Sequence, residues 1–343
     1  MNATEASSTL IEMISASWMS QVVCVAAELQ IADLLAGGAK SAEDLARDTQ
    51  CRPEPLRRLM RALASLGLCA EGGDGSFALT ETGALLQTDA TPSLRAWAIW
   101  WGRYRWPMWG ELHERIRTGP RERQLTGGRD GDDPAAATVF NLAMVGLTRL
   151  AAAQVLRVYD FTAVGRLVDV GGGHGELLAV LLAAQPRLQG TLFDLPSAIA
   201  GAGAHLASAG VAERCELIAG SFFDSVPRGG DVYLLKSILH SWSDERSRVI
   251  LDNCRTAMPS GARLLLVERV MPDRMSGRAD ERSVARSDLH MLVGSGGRER
   301  TQTDFRTLLA ASRFEATRFI PAGPDFWVIE AVADPWALSG PSG

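Results

Sequence analysis

The segment of residues 166–176, Arg-Leu-Val-Asp-Val-Gly-Gly-Gly-His-Gly-Glu, constrains the fold of this chain more than any other stretch. Its apolar, β-branched residues end in a group of glycines, and an apolar pattern of helical spacing follows over residues 176–185 until Pro186. This order predicts a buried strand, a tight turn and a helix, which together open a doubly wound α/β sheet. Glycine has no Cβ and therefore lets the backbone of the turn approach a ligand closely.

The spacing of the glycines helps to identify the ligand. A dinucleotide fingerprint requires a third glycine at residue 176, where this chain has Glu. Gly171, Gly173 and Gly175 remain, and the next predicted strand ends in Asp194, where a carboxylate can accept hydrogen bonds from a ribose diol. The chain thus has an acid placed to bind a ribose but no lysine placed to bind a phosphate. This combination favours a nucleoside with an uncharged tail, such as S-adenosylmethionine (SAM). The alternative is a tight strand-to-helix turn that binds no ligand.

Length and composition set the class of protein. A chain of 343 residues predicts about two domains, and its net charge of −5 argues against a general attraction to nucleic acid. Five cysteines are scattered without pairs or metal-ligand spacing, which indicates a reduced, cytoplasmic protein without a metal site. The N-terminus lacks a basic stretch before its apolar residues, and no run approaches the length of a membrane span.

The N-terminal part has the order helix, helix, hairpin, which is typical of a winged helix. Residues 17–35 are apolar on more than one helical face, so we predict a helix that is buried between subunits. Ser41 is the expected N-cap of the next helix, residues 55–66 form the second helix of the motif, and the glycines of residues 72–75 mark a hairpin.

Three arginines on that second helix raise the question of DNA binding. Arg57, Arg58 and Arg61 could contact phosphates. The alternatives are a solvated face, or a winged helix that serves dimerisation. We expect the latter because the chain is acidic and carries a large second domain.

Residues 94–119 contain five of the nine tryptophans, Trp97, Trp100, Trp101, Trp106 and Trp109. Such a cluster fits a hydrophobic core and equally an aromatic wall for a flat substrate, since rings stack well on rings. A polar, glycine-rich loop is predicted over residues 119–134, followed by a long connecting helix over residues 135–158.

From residue 167 onward, strands and helices alternate. Strands are predicted from residue 167 and over residues 189–194, 215–219, 231–235, 263–268, 316–320 and 326–331, and helices over 176–185, 197–209, 244–258 and 303–312. The last two strands form a hairpin, so the pattern predicts a largely parallel sheet with an antiparallel end.

Polar residues follow the strand ends, where ligands of open α/β sheets bind. The glycine turn, Asp194, residues 220–222, residues 236–240 and Glu268 come from five strands and converge on one crevice. His240 has a side chain suited to proton transfer near neutral pH, and a neighbouring carboxylate at Glu268 can orient an imidazole. A single histidine at such a place is more often structural, but the acid favours a catalytic role.

The run of residues 235–245, Leu-Lys-Ser-Ile-Leu-His-Ser-Trp-Ser-Asp-Glu, resembles the Leu-Lys-x-x-x-His-Asp-Trp-x-Asp-Glu signature of SAM-dependent small-molecule O-methyltransferases. This family includes plant phenolic, acetylserotonin and bacterial polyketide-tailoring enzymes. Residues 168–175, 193–196, 266–268, 288–292 and 296–301 match further motifs of the family in the same order, and the winged-helix pattern matches as well.

The resemblance implies SAM as methyl donor, S-adenosylhomocysteine as product, a small aromatic acceptor, no metal, and a homodimer formed by the N-terminal region. It implies His240 as general base, flanked by Glu268 and Glu299. With the strand-end residues added, the expected cofactor contacts are Gly171, Gly173, Asp194, Leu195, Gly220, Ser221, Phe222, Lys236, Ser237 and Trp242. The expected acceptor contacts are Asn141, Met144, Asp288 and Met291.

Two positions depart from the family pattern. Ser221 stands where the family has an Asp that contacts adenine, and a charge-assisted hydrogen bond is about twice as strong as a neutral one. Ser241 replaces the Asp that usually follows the histidine. These departures put cofactor affinity and the local support of the histidine in question.

The sequence therefore predicts an α/β protein with a class I methyltransferase, Rossmann-like sheet and a helix-rich, winged-helix dimerisation domain at the N-terminus. The predicted domains are residues 1–110 for dimerisation, 111–160 as a helical linker contributing to the substrate pocket, 161–337 for SAM binding and catalysis, and 338–343 as a tail. The predicted function is O-methylation of a phenolic or polyketide secondary metabolite. The alternatives are a SAM-binding relative that catalyses a non-methylating tailoring step, and a winged-helix regulator.

Overall fold

The chain folds into two units in the computed structural model, which describes residues 2–120 and 133–333. The first unit comprises Met1–Gly110 with Arg129–Leu147, and the second comprises Glu111–Gly128 with Thr148–Gly343. The predicted tail, residues 338–343, and most of the predicted loop over residues 119–134 lie outside the described residues.

Helices with one small sheet make up the first unit. Its elements are α1 (Ala3–Ser15), α2 (Ser17–Glu28), α3 (Ile31–Leu34), β1 (Lys40–Ser41), α4 (Ala42–Asp48), α5 (Pro53–Ser65), β2 (Cys69–Glu71), β3 (Ser76–Leu79), α6 (Glu81–Ala84), α7 (Arg95–Ile99), a π-helical stretch (Trp100–Arg105) and α8 (Trp106–Trp109). The predicted hairpin is present as β2 and β3, and β1 joins it on the other side of β3. Ser41 caps α4 as expected, because its hydroxyl accepts a hydrogen bond from the amide of Asp44.

The predicted continuous helix over residues 17–35 is wrong at its C-terminal end. Gln30 adopts a left-handed conformation with φ of 55°, so the helical ladder is interrupted between α2 and α3. The break turns Ile31 and Leu35 into a core that they share with Leu45 and Met60.

The outer surface of the first unit bears on two of the functional alternatives. The arginines of α5 are paired with carboxylates, Arg57 with Glu43, Arg58 with Glu54 and Arg61 with Glu71, as expected for a solvated face. Apolar side chains of α1 and α2 instead face solvent, namely Leu10, Ile11, Met13, Ile14, Trp18 and Met19. Trp100, by contrast, is a core residue that is 1% exposed and packs against Phe140 at a ring distance of 4.8 Å.

The second unit has the predicted alternation of strands and helices. Its elements are α9 (Leu112–Thr118), the end of α10 (Pro134–Val158), β4 (Arg166–Val170), α11 (Glu176–Ala184), β5 (Gln189–Asp194), α12 (Pro196–Ile199), α13 (Ala202–Ser208), β6 (Cys215–Ala219), β7 (Val232–Lys236), a 3-10 turn (Leu239–Ser241), α14 (Asp244–Ala257), β8 (Arg263–Glu268), β9 (Val270–Met271), α15 (Glu281–Gly294), β10 (Arg300–Thr301), α16 (Gln302–Ala311), β11 (Phe314–Ala322) and β12 (Phe326–Ala333).

Seven strands form one sheet in the order β11-β12-β8-β7-β4-β5-β6. The five strands from β8 to β6 are parallel, and β12 and β11 add the predicted antiparallel end. The central strands are nearly continuous apolar runs because both faces of the sheet are covered, as in β7 with four buried residues in succession. All carboxyl ends of the parallel strands therefore open at the same edge.

Three local features differ from the predictions. The predicted helix over residues 197–209 is divided into α12 and α13. The hairpin turn is shorter than expected, because β11 continues through Pro321, and an edge strand tolerates a residue that cannot donate to a ladder. The helix α15 was not predicted at all, because its charged N-terminal half obscures the apolar spacing.

The expectation that no run could span a membrane needs correction. By length and composition, α10 qualifies with a mean hydropathy of 1.5, and the bent pair Thr4–Ser15 and Ser17–Glu28 qualifies if it is counted as one span. Core helices meet the same criterion, and Ala152 and Val155 of α10 are buried in the core of the second unit.

Candidate active site

In the turn after β4, glycine serves a different physical purpose at each position. Gly171 has φ of 77°, and a Cβ there would lie 2.5 Å from Ile238 Cδ1, so packing within the protein already requires glycine. Gly173 has φ of 58° and a Cβ there would meet nothing within 4 Å. The turn at Gly173 thus presents its backbone to open space, which is the close approach that a ligand needs.

Asp194 at the end of β5 lies beside this turn. Its Oδ2 accepts a hydrogen bond of 2.9 Å from the amide of Gly173, and its Oδ1 accepts one of 2.7 Å from the amide of Leu195. A carboxylate has about four acceptor positions, so its capacity exceeds these two hydrogen bonds. Leu195 itself is 42% exposed.

A second acid, Asp169, is buried below the turn and 2% exposed. Burial and the neighbouring charge of Asp194 raise the pKa of Asp169 to about 7, while Lys236 opposes the shift. The sequence pattern placed Asp169 next to the glycines but did not indicate this perturbed carboxyl.

The segment after β6 forms an aromatic side of the crevice. Gly220 packs against Phe193, whose ring would be 2.6 Å from a Cβ at that position. The Ser221 hydroxyl accepts a hydrogen bond of 3.2 Å from the amide of Phe223. Phe222 lies near Gly171, and its carbonyl accepts a hydrogen bond from Asn253, a support that sequence analysis did not find.

Lys236 is the last residue of β7, and the segment after the strand carries Ser237 and Trp242. The Lys236 ammonium lies 3.4 Å from the Ser237 hydroxyl, and burial together with the charge of Arg269 lowers the pKa of Lys236 to about 8. Ser237 has φ of 55°, which is uncommon for a residue with a side chain. Trp242 is 8% exposed and packs edge-on against Phe223 at 4.8 Å.

His240 lies in the 3-10 turn between β7 and α14 and is 8% exposed. Its Nδ1 is 3.1 Å from Glu299 Oε1, and the hydroxyl of Ser287 on α15 donates to the same oxygen at 2.6 Å. With the carboxylate ionised, Nδ1 is the donor, so the other ring nitrogen, Nε2, carries the lone pair.

Glu268 acts differently from Glu299, although the sequence predicts similar roles for the two acids. Its Oε2 is 3.9 Å from His240 Nδ1, too far for a hydrogen bond. Its Oε1 instead accepts hydrogen bonds from the amides of Ile238 at 2.9 Å and Leu239 at 2.8 Å. Glu268 therefore holds the backbone that presents His240 and adds negative charge nearby.

Charge within this buried group shifts its proton affinities. Burial alone would lower the pKa of His240, but the charges of Glu299 and Glu268 and the hydrogen bond to Glu299 raise it overall. Burial would raise the pKa of Glu299, yet His240 and the hydrogen bonds lower it, whereas burial dominates at Glu268 and raises its pKa. The site thus stabilises a histidine cation against an ionised Glu299.

Arg300 supports the same turn from below and was not singled out from the sequence. It is 1% exposed, and its guanidinium donates to the carbonyls of Leu239 at 2.7 Å and Trp242 at 2.9 Å. It also pairs with Asp244 at 2.8 Å. Gly297 passes so close that a Cβ there would be 1.9 Å from the carbonyl of His240.

The expected acceptor contacts fall into both units. Asp288 accepts a hydrogen bond of 2.9 Å from the amide of Glu299, so it positions that acid, and Met291 lies one turn further along α15. Asn141 and Met144 lie on the part of α10 that belongs to the first unit, where Met144 packs in the cluster around Trp100.

The potential ligand atoms of His240, Glu268 and Glu299 lie within 4.8 Å of one another, a spacing that a metal ion could bridge. Hydrogen bonds already account for the arrangement, because Glu299 Oε1 is shared by His240 and Ser287, and Glu268 Oε1 by two amides. The donor set is that of a charged imidazole–carboxylate pair.

Two family models match the chain. The model of the O-methyltransferase domain matches residues 109–315, and the model of the O-methyltransferase dimerisation domain matches residues 11–89.

Individual relatives agree with the family models. The phenazine O-methyltransferase PhzM of Lysobacter antibioticus is 39% identical over 96% of this chain and 97% of its own length. The 8-amino-8-demethylriboflavin N,N-dimethyltransferase of Streptomyces davaonensis is 35% identical over 90% of both chains. Among solved structures, an O-methyltransferase from neocarzinostatin biosynthesis in complex with SAM and 2-hydroxy-5-methyl naphthoic acid superposes with a TM-score of 0.73, at 32% identity over 92% of this chain and 95% of its own.

Proposed function

The chain belongs to the O-methyltransferase family, with SAM as its cofactor, and from this premise we propose that it methylates a hydroxyl group of a small aromatic secondary metabolite with His240 as general base. The hydrogen bond between His240 Nδ1 and Glu299 carries this proposal. It leaves Nε2 to accept a proton, and the charge of Glu299 stabilises the cation that results.

The residues of the chain have separate tasks in this reaction. SAM, when bound, supplies an electrophilic methyl group. His240 accepts the proton of the hydroxyl at Nε2 as the oxygen attacks, which makes a neutral hydroxyl a competent nucleophile. Glu299 and Ser287 fix the ring, and Glu268 holds the amides of the turn. A positioned base of this kind contributes roughly 10²–10⁴-fold.

The cofactor is assigned to the crevice at the glycine turn. Gly173 offers its backbone to open space, Asp194 is hydrogen-bonded to the same turn and is the acid for the ribose, and Phe222 with Lys236 borders the same edge of the sheet. We assign the remaining predicted contacts, Gly171, Leu195, Gly220, Ser221, Ser237 and Trp242, to this crevice as supporting positions. Ser221 already accepts a hydrogen bond from the backbone, so its hydroxyl can donate to a base but adds no charge.

Replacing Asp194 with alanine should weaken SAM binding by roughly ten- to hundredfold, because two charge-assisted hydrogen bonds are lost. Titration calorimetry with SAM measures the effect. Asp194→Asn is the matched control, since an amide oxygen can still accept from Gly173, and it should weaken binding less. Equal affinity of Asp194→Ala and the unmodified protein would remove the ribose assignment.

An amine acceptor is the second candidate, because one relative is named an N,N-dimethyltransferase. The buried His240–Glu299 pair favours a hydroxyl, since an amine that attacks in its neutral form has less need of a base. It also favours methyl transfer over the two earlier alternatives, a non-methylating step and regulation. Incubation with labelled SAM and matched panels of phenols and anilines decides between them.

We further propose a homodimer formed by the first unit. The dimerisation model covers residues 11–89, and α1 exposes four apolar side chains, of which Ile14 is 73% exposed. The free cysteines of the described chain fit a cytoplasmic setting. We expect no nucleic-acid partner.

The double substitution Ile11→Glu with Ile14→Glu should weaken the dimer by roughly a hundredfold or more, because it buries unpaired charges in an apolar contact. Light scattering at micromolar concentration measures the mass. Glu12→Gln on the same helix is the matched control and should leave the dimer intact. A double variant that keeps the dimer mass would exclude this face.

A further inference from the structure

The segment that follows β6, residues 221–223, leaves the sheet at its edge. β6 is the last strand in the sheet order, so β5 lies on one side of it and no strand of the described chain lies on the other. The amide of Gly220 still donates a hydrogen bond of 3.0 Å to the carbonyl of Asp194, and both strands have ended there. The position of residues 221–223 therefore depends on contacts with other elements.

The helix α14 provides such contacts at two points. Asn253 Nδ2 donates a hydrogen bond of 2.9 Å to the carbonyl of Phe222, and the Arg246 guanidinium lies over the ring of Phe223 at 4.7 Å from its centroid. Arg246 and Asn253 are seven positions apart, which is about two helical turns, so they share one face of the helix. This face of α14 thus holds the segment through its backbone and through an aromatic ring.

Phe222 brings the segment to the glycine turn. A Cβ at Gly171 would lie 3.4 Å from Phe222 Cε1, so the half-buried ring borders that turn. Phe223 contacts the Phe222 ring edge-on at 4.9 Å, and Trp242 contacts it edge-on at 6.3 Å. The ring of Phe222 therefore has a fixed orientation beside the crevice that we assign to SAM, where an aromatic face can stack on a purine.

The serine before Phe222 makes the orientation of this ring more important. Ser221 is neutral, and its hydroxyl already accepts a hydrogen bond from the amide of Phe223. Residue 221 therefore cannot offer adenine a charge-assisted hydrogen bond, which would be about twice as strong as a neutral one. Affinity for the base then depends more on stacking, and stacking depends on the placement of the ring.

We propose that Asn253 is a positioning residue of the cofactor site, which orients Phe222 against the adenine of SAM by binding the carbonyl of Phe222. This inference rests on the proposed function and adds the residue that fixes the adenine side of the crevice. Asn253 acts through Phe222, so its role requires no contact with the cofactor or with His240.

Two substitutions remove the hydrogen bond in different ways. Asn253→Leu deletes the donor, and the isosteric Asn253→Asp places an acceptor against the carbonyl. Each should weaken the binding of SAM and of S-adenosylhomocysteine by roughly three- to tenfold, the effect of losing one neutral hydrogen bond. Calorimetry measures the affinities. Asp252→Asn changes the exposed neighbouring side chain on α14 and is the matched control, which should leave both affinities unchanged.

Two further measurements separate this role from a general effect on the fold. Methylthioadenosine contains adenine and ribose without the amino-acid tail, and the Asn253 variants should bind it more weakly by the same factor. The KM for SAM should rise, whereas kcat at saturating SAM and the KM for the acceptor should stay close to those of the unmodified protein. Thermal unfolding verifies that the variants are folded, and Asn253→Asp decides the test if Asn253→Leu does not fold.

The contrary results have distinct meanings. If the Asn253 variants bound SAM as tightly as the unmodified protein while Asp194→Ala bound it weakly, the inference would be overturned and the cofactor assignment would stand. A loss for SAM without a loss for methylthioadenosine, or a fall in kcat as large as the loss of affinity, would likewise overturn it. Weaker binding of all three nucleosides by the Asn253 variants, with no methyl transfer by the unmodified protein, would support the inference and contradict the proposed function.

Discussion

Replacing His240 with glutamine should lower turnover by roughly two to four orders of magnitude, because the hydroxyl then attacks without a base. SAM affinity should remain close to that of the unmodified protein, since the imidazole is needed only as the oxygen attacks. Single-turnover kinetics with a phenolic acceptor, together with calorimetry for SAM, separates the two effects. His113→Gln on α9 is the matched control, because this histidine is exposed and belongs to no part of the site.

The pH profile provides an independent measure of the same base. Glu299 and Glu268 raise the pKa of His240, so the rate should rise with pH through a value above the ordinary ~6.5 of histidine. Glu299→Gln removes the main negative charge that raises the pKa of His240. Burial, which lowers that pKa, then has the larger effect, so the inflection in the rate should move to lower pH. An inflection that persists in His240→Gln, or near-normal turnover of that variant, would contradict general-base catalysis.

The carboxyl edge of the sheet could be predicted because its signals are local. Strand β8 was predicted with its observed bounds, Arg263–Glu268, since four successive apolar residues between polar ends describe a strand buried on both faces. The glycine turn was evident from residue type alone, because the positive φ of Gly171 and Gly173 is costly for other residues. His240 and Asp194 followed from their positions at strand ends.

The separate roles of Glu268 and Glu299 could not be predicted in this way. The sequence motifs assign Glu268 and Glu299 to the same histidine. Only the coordinates show that Glu299 binds the ring of His240, whereas Glu268 binds two backbone amides. Ser287 and Arg269 lie in segments without recognisable spacing. Ser287 binds Glu299, 12 residues away in sequence, and Arg269 stacks on Phe326 in β12. Hydrogen bonds across such separations depend on tertiary packing, which periodicity does not encode.

Arg300 is the clearest case of a residue whose importance depends on distant partners. It lies in the short strand β10, yet its guanidinium binds the turn of residues 239–242 and the first turn of α14 through Asp244. The hydroxyl of Ser247 accepts a further hydrogen bond of 3.2 Å from it. The buried guanidinium of Arg300 thus holds both ends of the segment that carries His240.

Replacing Arg300 with methionine should destabilise the protein by about 3 kcal/mol, because two buried carbonyls lose their donors and a buried ion pair is broken. The expected fall in melting temperature is roughly 6–12 °C for a unit of this size, as measured by calorimetry. Arg298→Met is the matched control, since Arg298 binds the other oxygen of Asp244 at 2.8 Å but is 49% exposed. That pair should contribute less than about 1 kcal/mol.

Turnover of Arg300→Met, measured below its melting temperature, should fall as well, because His240 loses its fixed position. If Arg300→Met and Arg298→Met had the same melting temperature, the buried Arg300 guanidinium would not stabilise the turn that carries His240.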